Sequence, residues 1–267
     1  ADETSIRMSA AQLYDLVFEG NNKWMLSANG TLFTYEFEAI IPGLLKRWHA
    51  EREVMQRKMQ DSGSNEIERT YWDKRQLVKK INLNSLYGAL LNPGCRFFDI
   101  RIGQSVTLTG RCITKHMAAK VNDIIAGKYN HTGESIIYGD TDSVYFTAHK
   151  TLQNDDNAGK ITWSKESVIA LYDKIAEEMN TSFTGFMTKA FHCPHTRGSV
   201  IRAGRELVAT KGLFITKKRY AVLYYDIEGE RTDNTGKEGK MKAMGLDLKR
   251  SDTPVFVQDF LSDILYM

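Results

Sequence analysis

Tyr138-Gly139-Asp140-Thr141-Asp142-Ser143-Val144-Tyr145 is the stretch on which the reading of the fold turns. Ile136 and Ile137 precede it and Phe146 follows it, so β-branched and aromatic residues flank an acidic centre. That pattern predicts two short strands joined by a tight turn. Gly139 and the Asp-Thr-Asp run supply turn chemistry: Gly tolerates positive φ, and Asp bonds its own backbone. The two aspartates are two residues apart, so on a regular strand both face the same way. Carboxylates that close repel, and one pKa rises unless a cation sits between them. A divalent ion with hard oxygen ligands, most simply Mg²⁺, removes the conflict. The residues alone leave two readings open, a solvated acidic turn and a metal-holding hairpin.

Around this stretch the composition is that of an ordinary globular protein. The 267 residues are 42% hydrophobic and 26% charged, enough for one large domain or two smaller ones. No apolar run approaches the roughly 20 residues needed to span a bilayer, and no secretory leader pattern opens the chain. Cys95, Cys112 and Cys193 are odd in number and widely spaced, which argues against a disulfide framework and for a reducing compartment. The net charge of +3 is compatible with a nucleic-acid partner without identifying one. The chain opens at Ala1 and closes in an apolar run, so it is expected to belong to a longer polypeptide.

Working outward, residues 105–126 have the apolar spacing of a long helix, expected to pack beneath the acidic hairpin. Asn92-Pro93-Gly94 is a break, and 97–101 reads as a short connection. Further upstream, Leu44, Leu45, Trp48, Met55 and Met59 mark the apolar face of a helix that opens near Pro42. Its other face carries Arg47, Arg52, Arg57 and Lys58. After a connection at 61–64, a second helix follows with Ile67, Tyr71, Leu77, Val78 and Ile81 as apolar positions. The pair predicts an antiparallel helical hairpin. Lys80, Asn84 and Tyr87 fall at i, i+4 and i+7 of its second helix, on one face. Such a face suits a phosphate, a hydroxyl and a flat ring; read plainly, it is a solvated helix surface. At the start of the chain, 8–18 reads as a helix ending near Gly20-Asn21-Asn22, and 31–35 as a strand.

Downstream, 154–159 reads as a surface loop and 167–186 as a helix. Strands are predicted at 199–207, 212–216 and 220–226. Lys217-Lys218-Arg219-Tyr220 sets three cations beside an aromatic ring at a strand start, which suits a phosphate backbone. Glu206, after Arg202 and Arg205 in a predicted strand, is a candidate further carboxylate near the hairpin. A flexible loop is predicted over 233–240, and Thr253-Pro254 opens a last helix. Phe191-His192-Cys193-Pro194-His195 has too few ligands for zinc, which takes four, usually as separated pairs.

In this order the segments resemble the family B DNA polymerases, and among them those of T-even-type bacteriophages. A basic finger helix comes first. Residues 80–88 resemble the family's K-x-x-x-N-S-x-Y-G, and 138–143 its Y-G-D-T-D-S. Residues 217–220 resemble its K-K-R-Y, and 242–246 with 251–254 its K-x-M-G-L…S-x-T-P. The resemblance covers essentially the whole chain. It implies an α+β fold: a palm of antiparallel sheet backed by helices, with an antiparallel helical-hairpin fingers subdomain inserted. Residues 1–37 are then the first part of the palm, 38–90 the fingers, and 91–267 the rest of the palm, leading towards a thumb beyond these residues.

The resemblance further implies transfer of a deoxynucleotide from dNTP to a primer 3′-hydroxyl on two Mg²⁺ ions. Asp140, Asp142 and Lys80 are the implied catalytic set. Asp142 is a ligand of both ions and Asp140 lies beside them, with Glu206 in the place of a nearby palm carboxylate. Lys80 and Arg52 hold the triphosphate, Asn84 shares their face, and Tyr87 packs on the nascent base pair. Lys217, Lys218, Arg219 and Tyr220 contact the primer–template DNA. A virus-encoded protein in the cytoplasm of an infected bacterium is implied, without a membrane partner, with a sliding clamp as a partner of the full enzyme.

Two departures qualify this picture. The family's D-x-x-S-L-Y-P-S, whose Asp is the second shared metal ligand, is absent. Gln56 stands four residues after Arg52, where a Lys is expected, with Arg57 or Lys58 as the candidate substitute. The expectation is therefore a palm–fingers fragment, completed by an upstream segment or by a second polypeptide carrying the first palm motif and the exonuclease. The competing expectation is a nucleotide- and DNA-binding fragment without turnover. A generic metal-dependent phosphohydrolase accounts for the hairpin but leaves Lys80, Asn84, Tyr87 and 217–220 unexplained.

Overall fold

The computed structural model describes residues 7–19, 23–63, 65–157, 159, 162–234 and 238–266. The turn predicted at Gly20-Asn21-Asn22 and the centre of the loop predicted at 233–240 lie outside these residues. The chain divides into two compact units, Ala1–Thr109 with Lys189–Pro194, and Gly110–Thr188 with His195–Met267. Helices and antiparallel sheets make both, an α+β fold.

In the first unit, helix α1 (Ala10–Phe18) begins at Ser9, whose hydroxyl and Gln12 cap each other's backbone. Strands β1 (Trp24–Leu26) and β2 (Leu32–Thr34) form a small antiparallel pair. The predicted helical hairpin follows as α2 (Ile40–Asp61) and α3 (Glu66–Leu91). Helix α2 starts two residues before Pro42, after Ala39, which has no side-chain cap to offer. Asn65 caps α3 by accepting from the Glu68 N–H, and Glu66 and Glu68 lie at the positive end of the helix dipole. Gly63 takes φ +51° between the helices. No residue of α2 is buried and only Leu90 of α3 is. Polar bridges tie the seam instead. Lys79 Nζ lies 2.5 Å from Glu51 and over the Trp48 ring, and Lys58 Nζ lies 4.4 Å from the centre of the Trp72 ring.

The second unit holds the larger core. Helix α4 (Ile100–Ala126), from Gly110 on, and helix α6 (Lys165–Phe191) pack under the hairpin of β3 (Ile136–Asp140) and β4 (Ser143–Phe146). Val121, Ala148, Ile175, Met179 and Phe183 are its buried centre, with Ile113, Met117, Ile136 and Phe146 against them. His116 is buried here, stacked at 4.0 Å on Phe186. Ser182 donates its proton to the Met179 carbonyl, so it accepts from one ring nitrogen, and Tyr129 donates to the other. The neutral ring satisfies both, and burial holds its pKa below the ordinary 6.5. After α5 (His149–Asn157) and the short α7 (His195–Gly198) come β5 (Leu207–Thr216), β6 (Arg219–Ile227), β7 (Glu230–Arg231) and β8 (Lys240–Met244). All pair antiparallel, with β6 between β5 and β8. Helix α8 (Val255–Tyr266) sends Leu261 and Leu265 against Ala221, Ala243, Leu246 and Leu248.

Several boundaries differ from expectation, for local reasons. Helix α4 begins at Ile100, inside the predicted connection, because the Asp99 carboxylate accepts the Arg101 N–H. The strand predicted at 199–207 is irregular up to Glu206. Asn180 of α6 bonds both the N–H and the carbonyl of Ala203, taking the place of a ladder. The strand predicted at 212–216 instead starts at Leu207 and runs through three register shifts against β6. Residues 154–157 are the last turn of α5 rather than loop. Helix α6 reaches Phe191, five residues past the prediction, and opens on reciprocal bonds between Ser164 and Ser167.

Candidate active site

The acidic hairpin pairs Tyr138 with Tyr145, Gly139 with Val144, and Asp140 with Ser143. Gly139 is thus a strand residue, and Thr141-Asp142 alone make the turn. Thr141 takes φ +50°, a strained conformation for a β-branched residue. Three contacts hold it there. The Thr114 hydroxyl of α4 donates to the Thr141 carbonyl at 2.8 Å, the Thr141 hydroxyl donates to Asp140 Oδ1 at 3.1 Å, and the Ser143 hydroxyl donates to the Asp140 carbonyl at 3.2 Å. The two aspartates therefore do not share one regular strand: Asp140 ends β3 and Asp142 stands in the turn. Asp140 is half-buried at the end of β3, whereas Asp142 is exposed at the tip. The Asp142 carboxylate takes no hydrogen bond or ion pair from the described residues.

The basic turn lies beside this hairpin. Lys217 and Lys218 join β5 to β6, with Thr216 paired to Arg219. Lys218 takes φ +61°, and its N–H donates to the Tyr138 hydroxyl at 2.7 Å. On the other side Gly245 lies so close that a Cβ there would stand 2.1 Å from the Lys218 carbonyl oxygen. Arg219 Nε donates to the Gly245 carbonyl. Tyr138, Tyr145, Phe214 and Tyr220 form one aromatic cluster with ring centres 5.3–6.1 Å apart. Tyr145 donates to the Tyr220 hydroxyl at 3.2 Å, and burial pushes the Tyr145 phenol well above its ordinary range. Tyr220 therefore belongs to the packing that carries the turn, while Lys217 and Lys218 present exposed side chains.

A cleft of about 610 Å³ runs along 141–147 on one side and 201–212 on the other, and Asp142, Arg202, Arg205 and Glu206 line it. Arg205 is bound to Asp173 and to the buried Asp226. Glu206 lies just before β5 and accepts from Lys242 Nζ at 2.6 Å, so a cation already occupies the carboxylate read as a further metal ligand. Among the described residues no three His, Cys, Asp or Glu side chains converge on one point. Asp142 and Asp140 nevertheless suit Mg²⁺. That ion binds through one or two carboxylates and completes its octahedron with water and substrate phosphates.

In the first unit, Asp73, Gln76, Lys80, Asn84 and Tyr87 follow one another at helical spacing along one face of α3. Lys80 and Asn84 are exposed and Tyr87 is half-buried. Lys79 is held by Glu51 and Trp48, whereas Lys80 takes no ion pair among the described residues. Arg52 reaches across from α2 and donates through Nε to Gln76 Oε1 at 3.2 Å, one turn from Lys80. Arg52, Lys80, Asn84 and Tyr87 are thereby brought to one stripe. Arg57 and Lys58, five and six residues after Arg52, lie off its face of α2, and Lys58 Nζ lies over the Trp72 ring. His192 stacks on Phe18 at 3.8 Å, and Cys193 is buried.

The sequence reading passed over Thr114, the Tyr138 hydroxyl, Gln76 and Asn180. Thr114 carries a signal there as a hydroxyl residue beside the apolar stripe of α4, and Gln76 carries one by standing a turn before Lys80 on the same face of α3.

A family profile described as DNA polymerase family B matches residues 5–267. The chain is 31% identical over 201 residues to the DNA-directed DNA polymerase of Escherichia phage RB69, covering 71% of this chain and 22% of that one. It is 30% identical over 208 residues to the corresponding polymerase of Enterobacteria phage T4, covering 73% and 22%. A solved family B DNA polymerase from Pyrobaculum calidifontis aligns with a TM-score of 0.49 and 21% identity, over 84% of this chain and 22% of that one. The chain spans about a fifth of the length of the phage relatives it matches.

Proposed function

This chain belongs to DNA polymerase family B, and we propose on that footing that it is the palm–fingers part of a phage-encoded DNA-directed DNA polymerase, working in an infected bacterium. The carrying observation is the Asp142 carboxylate, without a partner among the described residues, at a strained hairpin tip lining a cleft. Asp142 and Asp140 would hold Mg²⁺. When bound, such ions acidify the primer 3′-hydroxyl and neutralise the triphosphate and the departing pyrophosphate. The chain's own cations do the rest of the positioning. Arg52 and Lys80 grip the triphosphate, Tyr87 packs on the new base pair, and Lys217, Lys218 and Arg219 hold the primer–template backbone. The 3′-oxygen bonds to the α-phosphorus as the bond to pyrophosphate breaks, and the hydroxyl proton passes to solvent. Positioning and fixed charge stabilise that transition state.

Two carboxylates at the tip are few for two ions, since affinity for a hard cation rises with ligand charge. We place a further carboxylate on a segment outside these residues, seated in the cleft along 141–147. The same scarcity favours the second reading, a nucleotide- and DNA-binding part without turnover.

Mg²⁺-dependent primer extension separates the two. It is run with this chain alone and with the chain plus a polypeptide carrying the upstream segment. Extension only in the mixture is the expected result. Extension by the chain alone removes the need for the outside carboxylate. DNA binding without extension in either case establishes the second reading.

A further inference from the structure

We propose that Gln76 is a positioning residue that aims the Arg52 guanidinium at the triphosphate of the incoming nucleotide; the inference rests on the reading of Arg52 and Lys80 as the triphosphate cations. The two side chains meet across the α2–α3 seam, where Arg52 Nε donates to Gln76 Oε1 at 3.2 Å. The direction of the Gln76 amide is fixed from behind, because its Nε2 donates to Asp73 Oδ1 at 2.9 Å. The carbonyl end must then face Arg52. An arginine bound through Nε keeps both terminal nitrogens as a free fork, the edge that takes phosphate oxygens bidentately.

Position matters as much as contact. Gln76 lies one turn before Lys80 on the same face of α3, so the bond brings the Arg52 cation beside the exposed Lys80 ammonium. Two cations do not gather unaided, and a neutral acceptor joins them without cancelling either charge. Asp73, three residues before Gln76 on α3, accepts from the amide, and no ion pair joins it to Arg52 among the described residues. By contrast Lys79, which meets Glu51 directly, has its charge compensated. The seam thus separates a neutralised cation used for packing from two uncompensated ones on the stripe.

The test compares Gln76→Leu, Gln76→Glu, Arg52→Ala and Gln76→Leu/Arg52→Ala in the complete polymerase, by single-nucleotide incorporation. Gln76→Leu removes the acceptor and is expected to lower kcat/KM for dNTP about tenfold, the scale of a hydrogen bond to a charged group. The KM for primer–template stays unchanged. Gln76→Glu keeps shape and acceptor but neutralises Arg52, so it too weakens dNTP use. A purely structural role would be rescued by this variant. In the Arg52→Ala background, Gln76→Leu has no further effect. If Arg52→Ala weakens dNTP use while Gln76→Leu does not, or if their effects simply add, this inference falls and the function stands. If Arg52→Ala leaves dNTP use unchanged, the reading of the helical face falls with it.

Discussion

The helical hairpin and the acidic hairpin are each held in place by opposite means. Helices α2 and α3 have one buried residue between them, and ion pairs, an amide and cation–π contacts fasten their seam. The acidic hairpin sits on a core in which Ala148, Ile175, Met179 and Phe183 are each at most 3% exposed, and the Thr114 hydroxyl of α4 holds its strained turn. A polar seam is adjustable, and it leaves spare cations on its surface. A packed core is not, and it can hold Thr141 and Lys218 at positive φ indefinitely. The difference suits the roles proposed for them, a region that grips a mobile phosphate chain and a region that fixes carboxylates.

The sharpest way to break that comparison is Asp142→Asn in the complete polymerase. Incorporation is expected to fall by about a thousandfold or more, since metal-bound charge contributes several kcal/mol at the transition state. Primer–template binding should be largely spared, and comparable extension rates would remove the metal-ligand role. Gly245→Ala comes next. Its Cβ would strike the Lys218 carbonyl in a conformation that disfavours any side chain, at a cost of about 2 kcal/mol. Thermal denaturation should show the loss, together with weaker DNA binding as the Lys217–Lys218 turn shifts. An unchanged melting temperature would mean the turn is softer than the packing implies.

Acid sharpens the comparison with the smallest effect. His116 in the core has a depressed pKa, so below its ordinary 6.5 the unfolded chain binds the extra proton and stability falls as pH drops. Glu51 in the polar seam is held below its ordinary 4.5 chiefly by its bond to Lys79, so its contribution is present above 4.5 and is lost only as pH falls through the lowered value. Hydrogen-exchange protection in α4 and α6 should therefore begin to fall at a higher pH than protection in α2 and α3. The opposite order would contradict the assignment of a buried neutral ring to the core.

What the sequence revealed follows the same division. Periodicity sufficed for α2, α3, α4 and α6, because an apolar stripe is a local property of the chain. The polar stripe of Lys80, Asn84 and Tyr87 was legible for that reason, as was the tight turn at the acidic stretch. The strand predicted at 199–207 failed because a partner 23 residues away, Asn180, satisfies Ala203 without a ladder. Strand parity does not apply to the two aspartates, because Asp142 stands in a turn whose Thr141 is held in the left-handed region by Thr114, 27 residues upstream in the chain. Glu206 was visible as a carboxylate, but its pairing with Lys242 spans 36 residues and has no local sign.

The anchoring of the basic turn is asymmetric in kind. Tyr138 contributes a side-chain oxygen, but Lys218 answers with its backbone N–H, and Gly245 meets its backbone carbonyl. The geometry of that junction therefore does not depend on the charge at position 218, although φ +61° there disfavours a β-branched residue and the bonded N–H excludes Pro. Charge at the turn can drift over generations, from Lys to Arg or to a neutral residue, without dislodging it from the hairpin. Tyr138 and Gly245 have no such latitude, so the junction is expected to be rigid in form and free in the strength of the grip on DNA proposed for it.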